Sequence, residues 1–272
     1  GREVIRRLVK DGHEVRSLAR RAAYLRDLPE VEPFAGSVLD ASACQEAVED
    51  MDAVIHMAGR VSRDRRDSSE LMRLHVDGTR MLLAAARDAG VARVVYLSTS
   101  GTIAVSEEPE EVLTEVAPYP FELVRRWPYY LSKIYAEQEA LRFFKQDHLP
   151  VICLNPTLLL GPGDIDGSST GDVKRFLDGM LPAIPKGGMS FVDVRDVADT
   201  VVASLTRGRP GERYLIGAEN LTTGEFFKRL ARMSGRPAPM IWLPDAVTRW
   251  GAKLLGKVGE ISKLSLPVND ID

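Results

Sequence analysis

Several features that mark secreted, metal-binding or membrane-spanning proteins are scarce in this sequence of 272 residues. It holds two cysteines, Cys44 and Cys153, in apolar contexts without a CxxC motif, so we expect buried thiols in a reducing compartment rather than a disulfide. The histidines His13, His56 and His148 do not cluster, and no metal site is predicted. No apolar run approaches the roughly 18 residues that span a bilayer, and the charged N-terminus is unlike a signal peptide. These absences predict a soluble, cytoplasmic protein without a membrane partner.

The charged residues show no excess of one sign: 36 Lys and Arg residues stand against 39 Asp and Glu residues, mixed along the whole length. A net charge of −3 leaves no basic surface for nucleic acid or an anionic membrane, so small molecules are the expected partners. The sequence does have a hydrophobic content of 44%, which suffices for a sizeable core in one large domain, or in one domain with a smaller lobe.

Helical patterns alternate with short β-rich segments through the first part of the chain. The predicted helices cover residues 2–11, 42–49, 67–89 and 128–146, and the predicted strands cover 14–19, 52–59, 92–98 and 150–155. Strands separated by helices pair in parallel through right-handed crossovers, because a strand that returns in the same direction needs a connection of about a dozen residues. The sequence therefore predicts an α/β fold with a doubly wound parallel (Rossmann) sheet and helices on both faces.

The composition changes after Asn155, where the segment LLLGPGDIDGSSTGD is rich in glycine and aspartate. We therefore expect a nucleotide-binding domain over residues 1–160 and a smaller substrate-binding lobe over residues 161–272. Within the lobe, FVDVRDVADTVVASL predicts a strand and a helix, so residues 188–207 are expected to return to the main sheet.

Ligands of such sheets bind outside the carboxyl ends of the strands. The predicted strand 14–19 is followed by Arg20 and Arg21, at the place where a dinucleotide-binding sheet meets the adenosine ribose. A carboxylate there accepts hydrogen bonds from a free 2′-hydroxyl, whereas an arginine pairs with a 2′-phosphate, so Arg20 favours NADP(H) while NAD(H) stays open. The alternative is a solvated surface arginine.

The next two strand ends supply further candidates for cofactor binding. They bring Asp40 and the turn formed by Met57, Ala58 and Gly59. Small residues at a strand end let a backbone approach a ligand closely, although tight turns also need glycine without any ligand.

Gly1 precedes a helix that is followed by a strand and an arginine, which is the order found after a glycine-rich phosphate-binding loop. We therefore expect Gly1 to be the last glycine of a GxxGxxG loop, and the first strand of the sheet, with most of that loop, to be missing before it. The N–H groups of this helix N-terminus would hold the pyrophosphate of the cofactor.

The segment WPYYLSKIYAEQEA places two tyrosines within about one helical turn of a lysine. Tyr129 lies four residues before Lys133 and Tyr130 three, so either ring could share a helix face with the ammonium. Tyr129 and Lys133 share a stripe with small alanines, which allow a close approach to the sheet. Tyr130 shares a stripe with residues that suit a core: Ile134, Leu141 and Phe144. Tyr129 is thus the candidate acid–base, since a nearby ammonium would lower its pKa from about 10; the alternative is an ordinary surface pair.

Six motifs occur in this order: HMAG, LHVDGTRMLLAAA, VVYLSTSGTIAV, YYLSK, LNPTLLLGPGD and FVDVRDVA. Together they resemble the extended short-chain dehydrogenase/reductase family of the NAD-dependent epimerase/dehydratase type, and within it the dihydroflavonol-reductase-like branch. YxxxK alone is common by chance, but the ordered set covers essentially the whole chain. The resemblance implies a VxVTGxxGFxG segment before Gly1 and further residues after Asp272.

The resemblance also implies roles for individual residues. Lys133 would hydrogen-bond the nicotinamide ribose as well as act on the tyrosine, and Pro156 and Thr157 would line the cofactor site. The serine or threonine that polarises the carbonyl in the family falls on Thr99 or on Ser100. We favour Thr99, although at least one of the two will cap a turn.

His75 stands where relatives usually carry an asparagine that orders the helix and a water near the lysine. We favour a structural role over a proton relay for this histidine. Relatives commonly form homodimers through a four-helix bundle, which here would include the predicted helix 67–89 and the helix with Tyr129.

These features predict an NADP(H)-dependent oxidoreductase that reduces a ketone or aldehyde, or oxidises the alcohol, with nicotinamide hydride and a proton from Tyr129. One alternative is an NAD(P)-dependent sugar epimerase or dehydratase, which uses the same groups. Another is a regulatory protein that binds NADP without turnover, although such relatives usually lose the tyrosine–lysine pair. A partly hydrophobic substrate pocket would be lined by residues that could also be ordinary packing: Tyr119, Phe121, Trp127 and Met189.

Overall fold

The computed structural model describes residues 1–20, 28–108, 111–164, 167–181, 183–238 and 241–242. Its strands are β1 (Val15–Ala19), β2 (Val31–Ala35), β3 (Ala53–His56), β4 (Arg93–Leu97), β5 (Val151–Pro156), β6 (Leu158–Leu160), β7 (Ala183–Ile184), β8 (Gly188–Asp193), β9 (Arg213–Ile216), β10 (Glu219–Thr222) and β11 (Ile241–Trp242). Its α-helices are α1 (Arg2–Lys10), α2 (Ala41–Val48), α3 (Ser68–Met72), α4 (Gly78–Asp88), α5 (Phe121–Val124), α6 (Pro128–Asp147), α7 (Gly171–Leu177), α8 (Val194–Ala203) and α9 (Thr223–Ser234). There are also 3-10 helices at Arg65–Asp67 and Ser100–Thr102 and a π-helix at Arg73–Asp77.

The main sheet is parallel and has the strand order β3-β4-β5-β9, while β1 and β2 form a separate parallel pair. Helices between successive strands supply the crossovers that parallel pairing requires. All six residues of β5 are buried, as expected for a strand that is covered on both faces. The predicted α/β fold with parallel strands and connecting helices is confirmed.

Strand β2 is absent from the strands predicted above, because it contains Pro33. Proline lacks the N–H group that a sheet hydrogen bond needs and is confined to edges and bulges. The structure shows why it is tolerated here: among the described strands, β2 pairs with β1 alone, and most of its residues are at least partly exposed.

The segment 188–207, predicted to return to the main sheet, is divided between the two compact units: α8 belongs to the unit that contains the main sheet, whereas β8 does not. Strand β8 lies instead in a three-stranded sheet between β6 and β10, and it pairs with β10 in the antiparallel sense. The strand that adjoins β5 is β9, where Leu215 is in register with Asn155. β8 is exposed over its first two residues, whereas a strand inside a parallel sheet needs burial along its whole length.

The chain divides into two compact units. The first comprises residues 1–105, 112–156 and 193–216 and contains the parallel strands around a core that includes Leu83, Val94 and Phe143. The second comprises residues 106–111, 157–192 and the chain from residue 217 onward, with a small core of Phe176, Ile184 and Phe227. The assignment of cofactor and substrate binding to separate domains stays a prediction.

Helix α6 carries the segment with the tyrosines and the lysine. It begins at Pro128, whose fixed φ suits the first helical position and whose missing N–H group would have no helical partner there. It ends before His148, which adopts a left-handed conformation with φ of 56°. Ala136 and Ala140 are fully buried in the core with β4 and β5, so this small-residue face brings the helix close to the sheet.

The predicted helix over residues 67–89 is observed as unbroken helix from Ser68 to Asp88 that contains a π-helical turn. Helix α3 leads into the π-helix Arg73–Asp77, which leads into α4. π-Helical turns are rare and occur frequently at functional places within longer helices. His75 lies at the centre of this turn and is only 1% exposed.

Among the described helices, none combines the length and the apolar character of a bilayer-spanning segment. Among all the residues that the structure describes, no group of three or more His, Cys, Asp or Glu side chains could bind a metal ion. Cys44 and Cys153 are both buried and free.

Candidate active site

The side chains of Tyr129 and Thr99 meet beyond the carboxyl end of β4. Thr99 follows β4 and caps the 3-10 helix Ser100–Thr102, whereas Tyr129 lies in the first turn of α6. Thr99 acts to lower the pKa of the Tyr129 phenol, so the two side chains lie near each other. Ser100 opens the 3-10 helix, and its carbonyl oxygen accepts hydrogen bonds from the N–H groups of Ile103 and Ala104. Of the two candidate hydroxyls, Thr99 is thus the one that acts on the phenol.

The phenol of Tyr129 is held in its neutral form. Burial raises its pKa above the ordinary value of 10, the neighbouring Tyr130 adds to the rise, and Thr99 opposes it. The sequence predicts the opposite direction, because it places an ammonium beside the phenol. In the structure the loss of hydration is the largest cause and outweighs the effect that lowers the pKa.

The ammonium of Lys133 is buried against β4. Its Nζ donates a hydrogen bond to the carbonyl oxygen of Leu97 at 2.8 Å and lies 4.5 Å from the centre of the Tyr96 ring. Burial lowers the pKa of Lys133 to about 8, although the nearby carboxylate of Glu137 acts to raise it. The lysine is therefore a cation at neutral pH that loses its charge in the mildly alkaline range.

Tyr130 lies at the site and not in the core stripe predicted for it. The centre of its ring is 5.4 Å from that of Tyr129 and 5.3 Å from that of Trp127. The ring also covers Gly101, where an added Cβ atom would overlap it. A glycine inside the 3-10 helix thus allows an aromatic ring to lie directly on the turn that carries Thr99.

Glu137 is a buried carboxylate that the motifs of the sequence do not single out. It is fully buried and lies one helical turn after Lys133. Its partners are the hydrogen-bond donors Ser98, Thr102, Asn155 and Tyr119, together with Arg213 at 3.7 Å. The sequence does contain a signal for Glu137. The residue lies four positions after Lys133, so it shares the helix face on which the alanines predict close contact with the sheet. A charged residue on such a face is expected to be buried.

His75 connects the turn after β3 with the start of α6. Its Nε2 accepts a hydrogen bond from the backbone N–H of Arg60 at 3.1 Å, so the ring proton is on Nδ1. Nδ1 donates to the Ser132 hydroxyl at 2.8 Å, and that hydroxyl donates to the carbonyl oxygen of Tyr129 at 2.8 Å. Burial lowers the pKa of His75 to about 3, and the charge of Lys133 adds to the fall. A neutral ring with both nitrogens bonded favours the structural role over the proton relay.

Three residues predicted to bind the cofactor lie at the start of α1 and after the first two strands. Gly1 is the N-cap of α1, and no side chain caps the first turn of that helix. Arg20 follows β1 and is exposed, while Arg21 lies outside the described residues. Asp40 follows β2 and caps α2 by accepting hydrogen bonds from two backbone N–H groups at 3.0 and 3.2 Å. Asp40 therefore already has a structural role.

The other predicted cofactor residues lie at the ends of β3 and β5. Met57, Ala58 and Gly59 form the turn after β3, and a Cβ atom at Gly59 would lie 3.2 Å from Nε2 of His75. Pro156 ends β5, and Thr157 follows it. The Thr157 hydroxyl is buried and has no hydrogen-bond partner among the described residues.

Some of the residues predicted to bind the cofactor have the chemistry that a nicotinamide dinucleotide needs. The first turn of α1 follows the glycine N-cap Gly1 and presents backbone N–H groups of the kind that bind a pyrophosphate. Arg20 offers a cation after β1, and Lys133 a buried ammonium at the end of β4. These donors are neutral or positively charged, as binding of a phosphate-bearing cofactor requires.

The residues predicted to line a substrate pocket have partners of their own. The Tyr119 hydroxyl donates to Glu137, and its ring centre lies 6.0 Å from that of Phe121. Trp127 packs on Tyr130, and Met189, in the second unit, is 47% exposed. The residues after 242, also predicted to reach the pocket, lie outside the described residues. A pocket lined by these side chains stays a prediction.

Comparison with known proteins gives consistent matches over most of the chain. A model of the NAD dependent epimerase/dehydratase family matches residues 1–217. A protein of Synechocystis sp. named putative dihydroflavonol 4-reductase is 32% identical over 271 residues, which cover 95% of this chain and 78% of that protein. Sterol demethylase protein B of Methylococcus capsulatus is 32% identical over 248 residues, which cover 90% of this chain and 74% of that protein. The crystal structure of gox2253 matches with a TM-score of 0.85 at 28% identity, over 97% of this chain and 80% of that one.

Proposed function

Because the chain belongs to the NAD-dependent epimerase/dehydratase family of extended short-chain dehydrogenases/reductases and is an NAD(P)-dependent enzyme, we propose that it reduces a ketone or aldehyde with NADPH. The observation that carries the proposal is the convergence of three side chains beyond the end of β4: Thr99 after the strand, and Tyr129 and Lys133 from α6, with Lys133 Nζ 2.8 Å from the carbonyl oxygen of Leu97. The relative from Synechocystis, which is named as a reductase, supports the same reaction class.

Reduction of a carbonyl group requires a hydride on carbon and a proton on oxygen. The nicotinamide supplies the hydride when it is bound. Thr99 donates a hydrogen bond to the carbonyl oxygen, and Tyr129 releases its proton to that oxygen as negative charge develops there. The Tyr129 phenol is protonated at neutral pH, as a proton donor has to be.

Lys133 supports this step as a cation. An ammonium carries three N–H donors, and one of them is used by the carbonyl oxygen of Leu97. The others serve the ribose hydroxyls of the cofactor, and the positive charge stabilises the phenolate that remains after Tyr129 has given up its proton.

We assign the preference for NADPH to Arg20. An exposed guanidinium after β1 can form charge-assisted hydrogen bonds with a 2′-phosphate. A carboxylate at this position would favour the free 2′-hydroxyl of NADH, but the chain has an arginine there.

The proposal is tested by the substitution Tyr129→Phe in the full-length protein. Oxidation of NADPH in the presence of a panel of ketones and aldehydes should fall by at least about a hundredfold, because a general acid contributes on the order of 10²–10⁴ in rate. Binding of NADPH, followed by fluorescence, should stay within about twofold, since the ring is kept. The matched control is Tyr135→Phe, at an exposed tyrosine of the same helix.

The outcomes separate the alternatives. Undiminished turnover by Tyr129→Phe would contradict the proposal. If the parent protein binds NADPH but no compound of the panel leads to its oxidation, the protein would instead be of the regulatory type. The family model is named for epimerases and dehydratases, and in an epimerase the hydride returns to the substrate. Conversion of a sugar nucleotide without net NADPH oxidation would therefore favour that second candidate.

A further inference from the structure

Glu137 carries a negative charge into the interior of the first unit. Its side chain has no exposed surface, and burial of a carboxylate is costly unless hydrogen bonds and a positive charge compensate for the lost hydration. Oε2 accepts hydrogen bonds from Asn155 Nδ2 at 2.7 Å, from the Thr102 hydroxyl and from the Ser98 hydroxyl. All three donors are themselves buried. So dense a network around one oxygen calls for a role beyond packing.

Two of these residues link the carboxylate to Thr99. The Thr102 hydroxyl lies 2.9 Å from Oε2 of Glu137 and 2.8 Å from the carbonyl oxygen of Thr99. The Asn155 amide lies 2.7 Å from Oε2, 2.9 Å from the Thr102 hydroxyl oxygen and 3.3 Å from the carbonyl oxygen of Thr99. Asn155 and Thr102 therefore both stand between the carboxylate and the backbone of Thr99.

We infer that Glu137 is a positioning residue of the active site: it orients Asn155 and Thr102, which in turn hold the backbone of Thr99. This role rests on the proposed reduction, in which Thr99 polarises the carbonyl group. Thr99 is not among the hydrogen-bond partners of Glu137 itself, so the carboxylate acts through Asn155 and Thr102. Groups that stabilise a transition state must be held within a fraction of an ångström, and hydrogen bonds behind them provide that precision.

The charge of Glu137 adds a second effect through Lys133. Charged or titratable groups face Glu137 from every element around it: Lys133 on α6, Arg213 on β9, Cys153 on β5, Tyr96 on β4 and Tyr119 before α5. Among these, the carboxylate acts to raise the pKa of Lys133 against the effect of burial. Removal of the negative charge therefore lowers that pKa further, and the ammonium is lost at a lower pH.

The test uses Glu137→Gln in the full-length protein, since glutamine keeps the shape and removes the charge. We expect kcat to fall by about tenfold to a hundredfold, KM for NADPH to stay within about twofold, and the alkaline limb of the pH–rate profile to move to lower pH. A residue that served packing alone would leave that limb in place. Glu139→Gln, at a partly exposed glutamate of the same helix, is the matched control and should change neither quantity.

A second pair of variants tests the hydrogen-bond chain without touching the charge. Thr102→Val removes the hydrogen that is donated to Thr99 and should lower kcat, whereas Thr102→Ser keeps it and should restore kcat to near the parent value. Equal kcat for these two variants would overturn the positioning role even if Glu137→Gln failed to fold. An unchanged kcat and pH limb in folded Glu137→Gln, with an active parent, would overturn the role and leave the proposed reduction standing. A parent without carbonyl reduction would overturn both.

Discussion

Lys133 is the residue that sets the expected pH dependence. Burial lowers its pKa from 10.5 to about 8, so the ammonium is present below that pH and is lost as the pH rises through it. The phenolate of Tyr129 has then no cation to stabilise it, and we expect kcat for carbonyl reduction to fall above about pH 8. The measurement is a pH–rate profile with saturating NADPH. Activity that stays constant well beyond this pH would contradict the role of Lys133.

His75 cannot account for an acidic limb of the same profile. Its pKa is lowered to about 3, and Arg60 and Ser132 occupy both ring nitrogens. The ring is therefore neutral over the whole range in which the enzyme would be assayed.

Single residues were predictable from the sequence where spacing alone decides their place. Tyr129 and Lys133 are four residues apart on a helix, and the motif order identifies the family that the comparisons confirm. Periodicity states which residues share a helix face but not what lies opposite that face. The contact of Tyr130 with Gly101, the partners of Glu137 and the raised pKa of Tyr129 all depend on segments that are distant in sequence.

At the scale of elements, the 3-10 helix Ser100–Thr102 leaves little room for change. In Gly101→Ala the added Cβ atom overlaps the ring of Tyr130, so either the ring or the turn with Thr99 must move. We expect kcat to fall by about tenfold or more and the free energy of unfolding to fall by about 1–3 kcal/mol. Steady-state kinetics and denaturant unfolding provide the two measurements.

A double variant provides the control for this prediction. Tyr130→Ser shortens the side chain that the new methyl group meets, so Gly101→Ala should cost less stability in that background than in the parent. Equal costs in the two backgrounds would show that Tyr130 is not what limits the turn.

Elements whose residues follow one period were predicted with bounds close to those observed, as for α6, β4 and β5. The differences have local causes. Strand β2 was not predicted because it contains Pro33. The helix predicted over residues 67–89 is continuous, but it contains a π-turn whose central residue, His75, is hydrogen-bonded to Ser132 of α6. Neither effect has a signature in hydrophobic periodicity.

At the scale of the whole molecule, cofactor binding should appear as stability. A ligand that binds only the folded state raises the free energy of unfolding by about 2.7 kcal/mol at a hundred times its Kd. We expect NADPH to raise the Tm of the full-length protein more than NADH at equal concentration. Arg20→Ala should remove this difference, whereas Arg236→Ala, at an exposed arginine of the second unit, should keep it. A larger shift with NADH in the parent protein would contradict the assigned preference.

The parallel architecture was predictable because strands and helices alternate along the chain. The pairing of β5 with β9 was not predictable, because residues 157–192 of the second unit separate the two strands along the chain. Local patterns do not report pairings between segments so far apart, and β8 has a stronger strand pattern than β9.

The late position of β9 has a consequence for synthesis on the ribosome. Until residues 213–216 have emerged, the apolar strand β5 is an open edge, which is a template for pairing with other chains. During that interval Arg213 is also absent from the nascent protein, so the carboxylate of Glu137 lacks the guanidinium that lies beside it in the folded protein. The nascent protein can complete the buried cluster around Glu137 only after β9 has been translated.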